Sequence, residues 1–156
     1  MINEFANLSS SEIELMLKGP ILASILIAGA DGNIDRKEIK ASIELAKEKH
    51  KNAKSSHLAK FYLMVTEDFE DKLKVVLQGY PVDGDKRNAM ITEELAGLNG
   101  LLPRLDAGFA NEYYTSLRDI ALGTAESSGG LLGIKSVGDE EARLVDLPMV
   151  KVPTKP

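Results

Sequence analysis

The chain has no cysteine and no tryptophan, only two histidines, four tyrosines and four phenylalanines. Without thiols there is no disulfide, no thiolate-held metal and no cysteine nucleophile, and the composition suits the reducing cytoplasm, where we expect the protein. The histidines, His50 and His57, flank a polar loop and lack the H-x-x-x-H spacing of a zinc helix. They read as surface residues. A G-x-S-x-G nucleophile elbow is missing too, and carboxylates without a recognisable pocket assign no acid and base roles. The expectation is a non-enzymatic protein. Long hydrophobic runs are scarce: the longest, "ILASILIAGA" at Ile21 to Ala30, is too short to cross a bilayer. The opening "MINEFANLSSSEIE" lacks a basic and then an apolar region, so no secretory signal is expected. An excess of basic charge is absent as well. With 19 basic and 24 acidic residues the net charge is -5, which repels nucleic-acid phosphate and suits cations or basic partners.

What is present fits one soluble domain. The 156 residues are 44% apolar and 28% charged, enough to bury a substantial core. No stretch alternates with a period of two, so the fold class expected is all-α, a single-domain bundle of about seven helices. Ser9, Ser10 and Ser11 ahead of "EIELMLK" have capping-box spacing to Glu12 or Glu14, opening a helix expected to stop near Gly19-Pro20. Pro20 can start a second helix, to about Asp31, apolar nearly all round and therefore central. Asp35 with Glu38 caps a third, whose stripe is Ile39, Ser42, Ile43 and Ala46, running to about Lys51. Lys47, Lys49, Lys51 and Lys54 near its end complement the helix dipole. A fourth helix carries Leu58, Phe61, Tyr62 and Val65, with a kink near Thr66, and reaches Gly79. A fifth spans about Lys86 to Leu102, a sixth carries Tyr113, and a short last one covers about Asp139 to Leu147. The domain is thus residues 1–147, and the proline-rich tail 148–156 is expected extended or disordered.

Two segments invite a chemical reading. "SSGGLLGIKSVGDEE", Ser127 to Glu141, is glycine-rich, but a phosphate-binding loop needs glycine directly before its lysine, and Ile134 separates Gly133 from Lys135. It reads as an ordered loop packed through Leu131, Leu132 and Ile134. "AGADGNIDRKEIKASIELA", Ala28 to Ala46, has calcium-loop features. With Gly32 as the sixth loop residue, however, Ile27 and Gly29 fall where oxygen ligands are required, so a full EF-hand is rejected. The two segments are related to each other. Ala30 and Asp31 align with Ala125 and Glu126, and Ile34 and Glu38 with Val137 and Glu141. Ala30 to Ile34 is four positions and Ala125 to Val137 twelve, so eight residues are inserted in the second copy. Such duplication implies two pseudo-symmetric helix-turn-helix units.

Through "AGADGNIDRKEI" at 28–39 and "GTAESSGGLLGIKSVGDEEARLV" at 123–145, the chain resembles the TerB-like domains, named for bacterial tellurite-resistance proteins. The second segment departs through its insertion and through Gly138 in place of Asp35, and residues 47–110 carry no distinctive motif. The resemblance implies a helical bundle with an acidic cluster that binds divalent metal, a role in tellurite or stress response, and no catalysis.

The residues alone leave two readings open. A capping box accounts for Asp35 and Glu38 without any ligand, and Ser136 with Asp139 can do the same in the second unit. Asp31 and Glu126 instead stand where apolar helices end, facing unpaired carbonyls and the negative end of the dipole, at a cost of roughly 0.3 to 1 kcal/mol. A cation reverses that sign, and carboxylates with helix-end carbonyls are the hard oxygen donors favoured by calcium or magnesium. Asp31, Glu38, Glu126 and Glu141 are therefore the candidate ligands, Asp35 ranking behind them, for a divalent Ca, Mg, Mn or Zn ion. The alternative is an acidic docking surface for a basic protein partner or for a second copy in a homodimer.

Overall fold

The computed structural model describes residues 3–29, 36–50, 56–126 and 144–153. Among them the regular structure is all helical: α1 (Ser10–Ala28), α2 (Arg36–His50), α3 (Ser56–Thr66), α4 (Phe69–Gln78), α5 (Gly84–Ala96) and α6 (Ala107–Ala125), with short 3-10 turns at Asn3–Phe5, Gly97–Gly100 and Leu102–Arg104.

Local chemistry sets most of the helix starts. Ser9 and Glu12 form the expected capping box: the Glu12 amide donates to Ser9 Oγ at 3.2 Å, and the Ser9 amide to Glu12 Oε1 at 2.9 Å. Asp83 accepts the Lys86 amide to open α5, two residues earlier than the sequence suggests, and Asp106 accepts the Phe109 amide to open α6. The expected fourth helix is two. Asp68 adopts the left-handed region (φ 52°, ψ 40°), which aspartate tolerates better than most residues, and the chain breaks there between α3 and α4.

The expected stop at Gly19-Pro20 does not occur, and the first two expected helices are the single α1. Proline lacks the N–H that would bond the Met16 carbonyl, a defect worth about 3 kcal/mol in a helix interior. The Tyr113 hydroxyl supplies the missing donor, bonding Met16 O at 2.8 Å from α6. Gly19 makes the approach feasible, because a Cβ there would overlap that hydroxyl. The donor is 97 residues from its acceptor, beyond the reach of any local pattern.

From Gly19 to Ala28 every residue of α1 is buried, as its all-round apolar character predicts. It packs against α2, α3, α5 and α6. Ile39, Ser42, Ile43 and Ala46 form the buried stripe of α2. Below them Phe61 meets Phe5, Tyr62, Phe109 and Tyr113 edge to face at centroid distances of 5.2 to 6.5 Å, so the few aromatics concentrate in one cluster. Burial pushes the Tyr62 and Tyr113 phenols up, keeping both as hydrogen-bond donors.

The expected last helix, 139–147, and the glycine-rich loop, Gly129 to Lys135, lie mostly or wholly outside the described residues. From Leu144 to Val150 the chain makes turns, with Leu147 and Val150 buried in the core. Asn99 pins this segment by donating to Met149 O and accepting from the Lys151 amide, both at 2.8 Å.

Candidate functional site: where two helices end together

Helix direction determines which termini can cooperate. Arg104, just before α6, pairs with Glu12 in the first turn of α1 at 2.7 Å. Further along, Tyr113 meets Met16, and Leu117 lies against Gly19. Contacts thus advance together along both helices, so α1 and α6 run parallel. Their C-terminal ends, Ala28 and Ala125, stand at the same end of the bundle. The first turn of α2, which contains Glu38, follows α1 after a short connection, and α2 packs on both helices.

Of the candidate ligands, Asp31, Asp35 and Glu141 lie outside the described residues, and Glu38 is described in its backbone only. Glu126 is described: it caps α6, is exposed, and lines a cleft of about 180 Å³ with Asp119 and the α2 residues Ser42, Leu45 and Ala46. Ser42 lies one helical turn beyond Glu38 in α2. Its hydroxyl is buried without a partner among the described residues. No cluster of three or more His, Asp or Glu with metal-binding geometry exists among the described residues. His57, expected at the surface, is partly buried and bonded to Glu4.

Arg87 is the residue that pattern reading missed. Projecting from α5 and only 8% exposed, it donates from Nη2 to Gly29 O, the carbonyl that closes α1, at 3.1 Å. No carboxylate pairs with it among the described residues. A buried guanidinium with no anion beside it is costly, so the negative end of the α1 dipole serves as its counter-charge. Gly29 has no side chain because a Cβ would overlap that guanidinium. The sequence offers one hint of this, a glycine at a helix end, but it does not reveal the distant cation.

The cationic neighbour expected at the end of α1 is therefore supplied, at Gly29, by the protein itself. At Glu126 no such cation is seated among the described residues. Comparison with family models, with curated proteins and with solved structures gave no match. No helix among the described residues is long and apolar enough to cross a membrane.

Proposed function

We propose that the chain is a non-enzymatic, TerB-like cytoplasmic protein that holds a divalent cation at the end of the bundle where α1 and α6 finish, acting in tellurite or stress response. The observation that carries this reading is the parallel course of α1 and α6. It brings Glu126 to the end from which the chain bearing Asp31 departs and at which α2, with Glu38, begins. The same course supports the pairing of two pseudo-symmetric units, the second of which we propose is completed by a seventh helix. Glu126, the Ser42 hydroxyl and α6 carbonyls are hard oxygen donors of the kind calcium and magnesium take. Calorimetric titration with calcium, magnesium, manganese and zinc should show saturable binding, weakened about tenfold or more by Asp31→Ala with Glu126→Ala. Absence of binding below millimolar concentration rejects the reading.

Arg87 favours a second reading, in which the acidic end docks a basic partner or a second copy without metal. With α1 already neutralised at Gly29, the remaining carboxylates are free to act as a surface charge. Partner capture that survives chelator and weakens with salt distinguishes this reading from the first.

A further inference from the structure

A groove of about 470 Å³ opens between α1, α4 and α5. Three polar side chains of its lining are joined to one another, one from each wall. Lys18 of α1 donates to Glu94 Oε2 of α5 at 2.6 Å, and Tyr80, just past the end of α4, donates its hydroxyl to Glu94 Oε1. These bonds hold the three groups at a single point of the groove.

Helix directions fix which side of that point is apolar. Leu15 lies beside Gly97, Lys18 bonds Glu94, and the Gly29 carbonyl bonds Arg87, so α1 and α5 are antiparallel. Helix α4 also runs against α1. Tyr80, beyond its end, sits level with Lys18, whereas Glu70 in its first turn lies 4.0 Å from Lys40, near the start of α2 and so near the end of α1. Ile21, one turn after Lys18, Val76, one turn before Tyr80, and Met90, one turn before Glu94, therefore share one side of the cluster. Ile21 is buried, while Met90 is 44% and the neighbouring Val75 66% exposed, so this side is an apolar wall partly open to water. Glu14, one turn before Lys18, stands on the opposite side.

The donors of the cluster are unequally used. Glu94 accepts at both oxygens, and its charge balances that of Lys18. Burial and that carboxylate push the Tyr80 phenol up, which keeps its proton on the bond to Glu94. An ammonium has three N–H groups, and among the described residues Lys18 uses one, on Glu94. Two donors thus remain beside an apolar wall. Lys72, the other lysine of the lining, is committed to the Met64 carbonyl. What complements this arrangement is an acceptor without charge. A carboxylate would face Glu94 and Glu14, and an ammonium would have to displace Lys18 or Tyr80 from Glu94.

We propose that the groove, whose volume suits one small ligand, binds an uncharged apolar molecule carrying a carbonyl oxygen. That oxygen accepts a spare N–H of Lys18, and the hydrocarbon lies over Val75, Val76 and Met90.

The test is a titration of the intact protein with hexyl methyl ketone, octanoate and octylamine below their aggregation limits. It is followed by the carbon-13 methyl signals of methionine and valine and by the carbonyl carbon of labelled ketone. The ketone should shift the Met90 and Val75 methyls saturably and bind about fivefold more tightly than either ion, the scale of one hydrogen bond. Its carbonyl carbon should move downfield, as a carbonyl does on accepting a hydrogen bond. Lys18→Met keeps the aliphatic stem without the donors, so it should cancel that displacement and weaken the ketone by about the same factor. Lys72→Met should change neither. Val75→Lys should abolish ketone binding, whereas Val82→Lys, at a residue 97% exposed and outside the groove, should not. No saturable ketone binding, equal affinity for all three head groups, a displacement that survives Lys18→Met, or binding that survives Val75→Lys overturns the proposal. So does a response of these methyls only to an amphipathic peptide or only to higher protein concentration, which would make a partner helix or a second copy the occupant.

Discussion

Helix α1 has an unsatisfied carbonyl at two places, and a distant side chain reaches each across a glycine. At Met16, within the helix, the donor is the neutral Tyr113 hydroxyl passing over Gly19; at Gly29, where the helix ends, it is the charged Arg87 guanidinium. The geometry is alike and the physics is not. In the middle, the defect is a missing proline N–H, and a neutral hydroxyl repairs it without adding charge to the core. At the end, the carbonyls belong to a dipole, and a cation both bonds and neutralises it. The first contact serves the fold alone, whereas the second also offsets the negative end of the α1 dipole.

The largest effect should come from Gly19→Ala. Its methyl overlaps the Tyr113 hydroxyl, and the expected loss is about 2 to 3 kcal/mol by denaturant unfolding, even after the helix-propensity gain of alanine. Tyr113→Phe should lose about 1 to 2 kcal/mol by stranding Met16 O. The double variant should be no worse than Gly19→Ala alone, because phenylalanine leaves room for the methyl. Strict additivity would break the account of the crossing. In the same way, Pro20→Ala restores the helical N–H and should shrink the penalty of Tyr113→Phe.

At the other end, Arg87→Gln should cost about 1 kcal/mol, on the scale of dipole compensation in a partly buried setting. Here the comparison gives a second, opposite readout: cation affinity at the acidic end should rise several-fold on the same scale, because a competing charge is gone. A variant that loses stability without gaining affinity would leave Arg87 a role in the fold alone.

The smallest effect concerns pH. The Arg104 side-chain bond, followed by the Ser9 amide, holds the Glu12 carboxyl below its ordinary value of 4.5. A depressed carboxylate stabilises the fold above that value, and the contribution fades as pH falls through the folded-state value. Glu12→Gln should therefore flatten the acid limb of the stability profile below about pH 4.5 and add no dependence near neutrality.

These contrasts also explain what was legible in the sequence. The all-helical class, the Ser9–Glu12 box and the α2 stripe depend on neighbours within one or two turns, and each is present as written in the residues. Gly19-Pro20 misled because the residue that overrides the proline lies on α6. The kink expected near Thr66 is a full break at Asp68, whose backbone conformation no hydrophobic pattern encodes. Of the candidate site, the internal likeness pairs Asp31 with Glu126; the structure brings the ends of α1 and α6 together, and Asp31 itself lies outside the described residues. The groove was invisible for a simple reason. Leu17, Val75 and Met90 look like ordinary core positions until three helices are seen to leave space between them.

The Tyr113–Met16 bond has a further consequence, for the order in which the chain assembles. Residues 9–28 on their own have no donor for the Met16 carbonyl, so an isolated N-terminal peptide should be interrupted at Pro20. Continuity of the first helix is then acquired late, when the sixth docks, and both segments should lose amide-exchange protection in one cooperative step. During synthesis the most apolar part of the protein therefore waits, without its final brace, until Tyr113, 97 residues beyond Met16, has been made.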